Sequence, residues 1–215
     1  KCHLPNYGVF DEYRNFVPGD QTLVVRIHGV DVGILICEDL WIDGGITSQL
    51  AARKPGLILV PNGSPFERNK DDVRAALVKK RAIQAGAPLI YVNMTGGQDE
   101  LVFDGDSIAV DAQGNVIARA PQFEDGMMLL DLDAEVFTST PDVIISETKA
   151  KLDRVLTPGI AQRLGDEEEI WDAIVVGLRD YVIKNGFSQV LIGLSGGIDS
   201  ALVAALACDA LGPAL

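Results

Sequence analysis

Cysteine and histidine are both scarce in this chain. Its 215 residues include three cysteines, Cys2, Cys37 and Cys208, and two histidines, His3 and His28. Three cysteines without metal-ligand spacing give no zinc motif and no disulfide framework, which favours a reducing, cytoplasmic location. His28 falls within a predicted strand, so a catalytic Cys–His pair has little support.

Long apolar runs and clustered positive charge are missing as well. No apolar stretch reaches the roughly 20 residues that span a bilayer, so we expect no membrane association. The 18 Lys and Arg stand against 31 Asp and Glu, which gives a net charge of −13. Phosphate binding needs clustered cations, so this balance argues against a nucleic-acid partner. The chain begins at Lys1 without a Met, and we expect a fragment or a processed chain.

Alternating strand and helix patterns predict an α/β fold. Because the strands are apolar throughout, we expect a layered sheet that is buried on both faces. Apolar runs bounded by Gly, Pro and Asn predict strands, and apolar residues at helical spacing predict helices. The predicted strands are 22–28, 30–37, 57–61, 88–93, 102–110, 116–118, 127–132 and 189–194, and the predicted helices are 46–53, 67–85, 166–184 and 201–210.

Two interruptions of this pattern divide the chain. Thr138 to Pro141 and Thr157 to Gly159 break the periodicity. They predict a first domain over 1–137, a connection over 138–165, and the start of a second domain over 166–215. The second domain is predicted to open with a helix whose Asp166 and Glu169 form a capping box.

Cys37 follows the apolar run Val32 to Ile36 and precedes two carboxylates, Glu38 and Asp39. A thiol at the rim of a sheet is well placed for nucleophilic chemistry, yet free cysteines are more often small core side chains. A nucleophile needs a nearby cation or base, for which Lys1 is the candidate. On these residues alone, both interpretations stay open.

The loop 1–16 is rich in aromatic and charged residues. Tyr7, Phe10 and Phe16 could line a pocket. We favour the alternative, a surface loop whose aromatic side chains pack into the body of the domain.

The motif SGGIDS, Ser195 to Ser200, lies between a predicted strand and a predicted helix. Its two glycines would free backbone N–H groups to bind an anion at the helix N-terminus, and Asp199 would suit a Mg²⁺ shared with phosphates. The alternative is a plain Gly-Gly turn. The motif resembles the pyrophosphate loop of the ATP-pyrophosphatase superfamily. That resemblance implies ATP binding by Gly193, Leu194, Ser195, Gly196, Gly197, Ile198, Asp199 and Ser200, with Mg²⁺ at Asp199.

The first domain resembles the nitrilase or carbon–nitrogen hydrolase superfamily. The resemblance rests on Lys1-x-His3-Leu4-Pro5, Cys37-Glu38-Asp39-x-Trp41, Asn62-x-Ser64-Pro65 and Asn93. The stretches KCHLPNYGVFDEYRNF, GILICEDLW, NGSPF and GGQDELVFDG are similar to the glutaminase domain of the glutamine-dependent NAD⁺ synthetase family. This implies a nitrilase-like αββα sandwich, incomplete at its N-terminus, followed by the start of a Rossmann-like ATP-pyrophosphatase domain.

The resemblance also implies residue roles. Cys37 would be the nucleophile, Lys1 the triad lysine, and Glu12 a second glutamate that supports the lysine. The triad glutamate would precede Lys1, so we expect the 215-residue chain to be inactive alone. Glutamine would be contacted by Tyr7, Phe10, Glu38, Ser64 and, as a weaker candidate, Lys70.

The fusion of the two domains implies a reaction. Deamido-NAD⁺, ATP and glutamine would become NAD⁺, AMP, pyrophosphate and glutamate in a full-length protein that we expect to be a homo-oligomer. A stand-alone amidase of the nitrilase class is the alternative. A third interpretation, a non-catalytic ATP-binding module, would require an unreactive, buried Cys37.

Overall fold

A seven-stranded mixed sheet forms the centre of the computed structural model, which describes residues 1–148, 156 and 159–212. In these residues the strands are β1 Leu23–Ile27, β2 Val30–Ile34, β3 Leu57–Asn62, β4 Leu89–Asn93, β5 Thr95–Gln98, β6 Leu101–Asp104, β7 Ile108–Val110, β8 Val116–Arg119 and β9 Val143–Ile144. The α-helices are α1 Glu38–Trp41, α2 Gly45–Ala52, α3 Lys70–Ala85, α4 Asp166–Lys184 and α5 Ile198–Leu211, and a 3₁₀ turn covers Glu12–Arg14.

The sheet has the strand order β8-β7-β4-β3-β2-β1-β9, and β5 pairs with β6 in a separate hairpin. The neighbours β2, β3 and β4 are parallel, whereas β1 pairs antiparallel with β2 across the turn at Gly29. Because the parallel strands run the same way, their carboxyl ends meet at one edge. The loops that follow β2, β3 and β4 therefore lie side by side at that edge.

One face of the sheet packs against α2 and α3. Ile58 and Val60 of β3 are 2% and 0% exposed, and they belong to one core cluster with Val78 and Ala82 of α3. The intervening Leu57 and Leu59 are only half-buried. The expectation of burial on both faces is therefore not met by the described residues, which supply one helix layer and one sheet of the predicted αββα sandwich.

The buried side of α3 is partly polar. Arg74 and Arg81 are 1% and 2% exposed, while the apolar Val73 and Ile83 are 53% and 59% exposed. Arg81 Nε donates to the carbonyl of Leu40 at 2.7 Å, and its Nη2 donates to Ile42 at 3.0 Å. Each arginine has hydrogen-bonding partners that offset the cost of its burial. The spacing of apolar residues alone would have predicted that Val73 and Ile83 are the buried residues.

Two predicted strands are absent. Residues 127–132 and 189–194 lie in irregular backbone, and Leu191 is 99% exposed. An apolar run becomes a strand only if a neighbour accepts its hydrogen bonds, and neither run has one among the described residues. The predicted strand 102–110 is instead divided into β6 and β7 by a turn in which Asp106 has a φ of 53°.

Residues 138–148 complete one edge of the sheet. Strand β9 pairs with β1, and Asp142 Oδ2 accepts both the N–H of Val24 at 2.8 Å and Arg53 Nη1 at 2.7 Å. Buried Asp31 accepts the N–H of Ser139 at 2.8 Å. The beginning of the predicted connection thus packs on the first domain, while 149–155 and 157–158 of that connection lie outside the described residues.

Helix α4 begins at Asp166 and ends before Asn185-Gly186, as predicted, but without the predicted capping box. Its N-cap is Gly165, which has no side-chain acceptor. The carboxylate of Glu169 faces the first domain instead, where its Oε1 accepts Gln122 Nε2 at 2.6 Å. A tertiary hydrogen bond has therefore replaced the local cap.

Helix α4 docks on the hairpin β5–β6 through a close backbone contact. A Cβ atom added to Gly97 would lie 3.1 Å from the Cα of Gly177 and 3.2 Å from the Cβ of Asp180. The N–H of Gly97 donates to Asp180 Oδ2 at 2.7 Å, and Lys184 Nζ donates to the carbonyl of Gly97 at 2.5 Å. Nearby, Phe66 and Phe123 pack against Ala173 and Val176 of α4.

Candidate active site

Cys37 lies in a strained turn between β2 and α1. The strand ends at Ile34, three residues earlier than predicted, and Cys37 caps α1 with φ 48° and ψ −105°. Its N–H donates to the carbonyl of Pro61 at 3.0 Å, and its own carbonyl accepts the N–H of Leu40 at 3.0 Å. A side chain held in so rare a conformation costs about 1–3 kcal/mol, and such strain is concentrated at functional sites.

Lys1 and Glu12 form a short ion pair near this turn. Lys1 Nζ lies 2.5 Å from both Oε1 and Oε2 of Glu12, and their side chains are only 13% and 23% exposed. Contact with both carboxylate oxygens of Glu12 restricts the movement of the Lys1 ammonium. The structure thus brings Lys1 and Glu12 together, as predicted for the pair.

The pKa of the Cys37 thiol depends on the nearby Lys1–Glu12 ion pair. Burial raises the pKa of the Cys37 thiol, and the nearby ammonium of Lys1 together with a hydrogen bond from the Gly63 backbone opposes this rise. The carboxylates of Glu38 and Glu12 raise the pKa further. The balance keeps the thiol protonated near neutral pH, so nucleophilic attack requires a general base.

Tyr7, Phe10 and Glu38 border the same turn. Tyr7 Oη donates to Glu38 Oε2 at 3.0 Å, and the rings of Tyr7 and Phe10 stand edge to face with centroids 5.8 Å apart. Partial burial of the hydroxyl and the bond to Glu38 raise the pKa of Tyr7 to about 12. Tyr7 and Phe16 are 59% and 60% exposed, so the expectation that the loop aromatics pack into the body is wrong for these two, whereas Phe10 is half-buried.

Ser64 lies in the loop after β3, next to the loop of Cys37. It is 4% exposed, and Asn93, at the end of β4, accepts its N–H at 2.9 Å and donates to its carbonyl at 3.2 Å. Asn93 lies within hydrogen-bonding reach of Asp104, which pairs with buried Arg74 at 2.5 Å. This buried polar network holds the Ser64 loop in place. Asn93, Asp104 and Arg74 were not predicted as site residues, although Asn93 is part of the motif that resembles the nitrilase superfamily.

Lys70 is the first residue of α3. Its Nζ pairs with Glu67, and the Glu67 carboxylate contributes to the raised pKa of Tyr7. Lys70 therefore lies at the rim of the site, on the side of Tyr7. His28 lies in the β1–β2 turn, just beyond the end of β1, with its Nδ1 3.0 Å from the Thr148 carbonyl.

In the loop Gly193 to Ser200, residues 193–199 are exposed and Ser200 is half-buried. Gly196 has a φ of 87°, Gly197 caps α5, and the hydroxyl groups of Ser195 and Ser200 lie 3.0 Å apart. Helix α5 directs its N-terminal N–H groups toward this turn, which suits an anion such as the phosphates of ATP. Asp199 lies in the first turn of α5, and the described residues contain no cluster of three potential metal ligands. A Mg²⁺ held here would need phosphate oxygens as further ligands.

Comparison with known proteins identifies the first domain. Residues 1–142 match the family model for carbon-nitrogen hydrolases, which covers most of the chain. The chain belongs to the carbon–nitrogen hydrolase family. Residues 170–215 of this carbon–nitrogen hydrolase match a second family model, NAD synthase.

Relatives of the carbon–nitrogen hydrolase extend over both segments. It is 43% identical over 214 residues to a glutamine-dependent NAD(+) synthetase from Xylella fastidiosa, an alignment that covers 99% of this chain and 36% of that protein. The structure of the Acinetobacter baumannii glutamine-dependent NAD⁺ synthetase with ADP superposes with a TM-score of 0.81 at 38% identity, covering 99% of this chain and 37% of that one. These matches confirm the predicted fold class.

A shorter match covers the first domain alone. An amidase mutant from Nesterenkonia sp. AN1, with acrylamide added to its active-site cysteine, aligns at 31% identity and a TM-score of 0.51. The alignment covers 59% of this chain and 47% of the amidase.

This carbon–nitrogen hydrolase spans little more than a third of the length of the curated synthetases that it matches, at 36% of the Xylella protein. In the described residues, no helix combines the length and hydropathy required to cross a membrane.

Proposed function

We propose that the chain is part of a glutamine-dependent NAD⁺ synthetase, and that Cys37 is its glutaminase nucleophile. The observation that carries the proposal is a thiol in strained backbone beside the Lys1–Glu12 pair, on a chain that continues into a match with NAD synthase. The full-length protein would convert deamido-NAD⁺, ATP and glutamine to NAD⁺, AMP, pyrophosphate and glutamate. We propose that it is a cytoplasmic homo-oligomer with the domain borders 1–137, 138–165 and 166–215.

The proposed glutaminase step begins at the Cys37 sulfur. The thiol proton passes to a general base, which the resemblance assigns to a glutamate preceding Lys1, and the sulfur attacks the side-chain amide carbon of glutamine. The ammonium of Lys1, held by Glu12, stabilises the negative charge that develops on the amide oxygen. The base returns the proton to the leaving nitrogen, and ammonia departs. Water then hydrolyses the thioester, which releases glutamate and restores the thiol.

The proposed substrate contacts follow from the same geometry. Glu38 and Tyr7 present a carboxylate and a hydroxyl beside Cys37, which suits the amino group and polar end of glutamine. Phe10 packs on Tyr7 and limits its movement. Ser64 directly follows Gly63, whose backbone bonds to the Cys37 thiol, and Lys70 at the rim would attract the substrate carboxylate.

The proposed second site uses the loop Gly193 to Ser200. Backbone N–H groups at the start of α5 would bind ATP phosphates, and Asp199 would hold Mg²⁺ against them. The nicotinate carboxylate of deamido-NAD⁺ would attack the α-phosphate of ATP and release pyrophosphate, and bound Mg²⁺ would neutralise phosphate charge. Ammonia then displaces AMP. The match of 170–215 to NAD synthase disfavours a stand-alone amidase.

The test uses the full-length protein with Cys37→Ala. We expect loss of NAD⁺ synthesis from glutamine and retention of synthesis from ammonium salts, because only the glutaminase step needs the thiol. Cys208→Ala, in helix α5, serves as the control and is expected to retain both activities. Equal loss of both activities in Cys37→Ala would show that Cys37 is structural and would overturn the proposal.

A further inference from the structure

Asp39 is a buried carboxylate bound by backbone N–H groups of two different loops. Its side chain is 3% exposed. Oδ1 accepts the N–H groups of Cys2 and His3, both at 2.8 Å, and Oδ2 accepts the N–H of Ile36 at 3.1 Å. Three such donors compensate for much of the cost of burying a negative charge. The position is therefore built for a carboxylate.

The partners of Asp39 are the chain neighbours of Lys1 and Cys37. Cys2 directly follows Lys1, and Ile36 directly precedes Cys37. The segment that carries Lys1 is irregular up to residue 11, so no strand or helix relates it to the turn of Cys37. One carboxylate thus bonds directly to the backbone next to each of the two groups whose separation matters for the reaction.

Asp39 also closes the strained turn itself. Its N–H donates to the carbonyl of Ile36 at 3.1 Å while its side chain accepts from the N–H of the same residue. Thr47 Oγ1 donates to the Asp39 carbonyl at 2.7 Å, which anchors the turn to α2. These bonds oppose relaxation of Cys37 out of its left-handed conformation.

We propose that Asp39 is a positioning residue that sets the placement of the Lys1 ammonium relative to the Cys37 thiol. The inference rests on the proposed function of Cys37 and Lys1. Asp39 touches neither reacting group and acts through the backbone on either side. The competing interpretation is that Asp39 only stabilises the fold, as an acidic residue in the first turn of α1.

Asparagine at this position separates the two interpretations. The Asn oxygen would keep the bonds from Cys2 and His3, but its amide NH₂ would face the N–H of Ile36, donor against donor. The side chain keeps its size, so the protein is expected to fold. Asp31→Asn is the matched control, because Asp31 is also buried at 0% exposure and accepts a backbone N–H from Ser139. Asp31 lies near the N-terminal end of β2, the opposite end from the turn of Cys37, and it also pairs with Arg26 at 2.8 Å.

The experiment measures three quantities in full-length protein with Asp39→Asn, Asp31→Asn or Cys37→Ala. The first is NAD⁺ formation from glutamine and from ammonium salts. The second is the pH dependence of Cys37 alkylation by iodoacetamide, followed by peptide mass spectrometry with free N-acetylcysteine as the reference thiol. The third is the melting temperature.

For Asp39→Asn we expect kcat with glutamine to fall by about 10- to 100-fold with little change in KM, because a displacement of about 1 Å has that effect on a reacting pair. Synthesis from ammonium should persist. The alkylation midpoint should move to higher pH, since Lys1 is the charged group that lowers the Cys37 pKa, whereas Glu38 and Glu12 raise it. Asp31→Asn should lower only the melting temperature.

A purely structural role predicts that Asp39→Asn behaves like Asp31→Asn, with unchanged kcat and alkylation midpoint, and that result would overturn the inference. Cys37→Ala distinguishes this failure from failure of the proposed function. If Cys37→Ala keeps glutamine-dependent synthesis, the proposed function fails and Asp39 loses its role with it. If Cys37→Ala loses that synthesis and Asp39→Asn keeps it, only the role of Asp39 fails.

Discussion

The left-handed backbone of Cys37 is strained because this residue carries a Cβ atom. A glycine at this position would remove the strain. With a φ of 48°, any residue with a Cβ is disfavoured at this position, and glycine is not. We predict that Cys37→Gly unfolds with a free energy about 1 kcal/mol higher than Cys37→Ala, after allowing for the greater flexibility of glycine in the unfolded chain. Urea denaturation of both variants checks this. Equal stability would mean that the turn relaxes in the Ala variant.

Lys1 has an effect on Cys37 that can be titrated. Its ammonium stabilises the thiolate and lowers the pKa of Cys37 against the larger effect of burial. In Lys1→Gln the opposing charge is removed, so the pKa rises and the alkylation of Cys37 should require a higher pH. Glutamine-dependent kcat should also fall by about 100-fold, as for other losses of a group that stabilises an oxyanion. A midpoint that stays in place or moves down would contradict the assigned position of Lys1.

The residues of the candidate site differ in how far sequence could predict them. Motif resemblance pointed to Lys1, Glu12 and Cys37, and the structure places the first two in contact with each other and near the third. Their catalytic roles stay predictions. Asp39 belongs to the motif that follows Cys37, but the sequence assigned it no role. Its hydrogen bonds reach Cys2 and His3, more than 30 residues away along the chain, and local pattern carries no such information.

Among the elements, the predicted hairpin β1–β2, the strands β3 and β4, and helices α2 to α5 are confirmed. Helical spacing and apolar runs depend on nearby residues, so sequence reports them well. Strand β5 was missed because its TGGQ sequence has low strand propensity, and α4 covers it through tertiary contacts. The two false strands were apolar runs without a partner, and pairing depends on the rest of the fold.

The docking of α4 on β5 depends on the absence of a side chain at Gly97. A methyl group there would meet Gly177 at 3.1 Å and Asp180 at 3.2 Å, and one of the two elements would have to move. We predict that Gly97→Ala lowers the free energy of unfolding by about 1–3 kcal/mol, the usual cost of overpacking. Gly126→Ala is the control, since nothing lies within 4 Å of its added Cβ. Chemical denaturation of both variants would reveal the difference, and matching curves would argue against the contact.

At the scale of the whole molecule, the two proposed sites should respond independently to mutation. We predict that Asp199→Asn weakens Mg²⁺-dependent ATP binding by about 10- to 100-fold in the full-length protein, the range seen when a metal site loses a supporting group. Glutamine hydrolysis at Cys37 should persist. Calorimetric titration of ATP with and without Mg²⁺ measures the effect.

The contrary interpretation is that Asp199 only favours the start of α5. Since Asn serves at helix starts about as well as Asp, that role predicts unchanged ATP affinity and a small loss of stability. Wild-type affinity for Mg²⁺-ATP in the mutant would establish it and remove Asp199 from the metal site.

The close contact between Gly97 and Gly177 has a consequence for the history of the protein. If the two domains were joined only by a linker, either domain could be replaced by that of a relative with little loss of stability. Here the helix that opens the second domain packs closely on strands β5 and β6 of the first, so a donor domain with a larger residue at either glycine would force a shift at the contact. Chimaeras joined after Lys184 should therefore express as folded protein more often than chimaeras joined before Asp166, because only the former inherit both sides of the contact together.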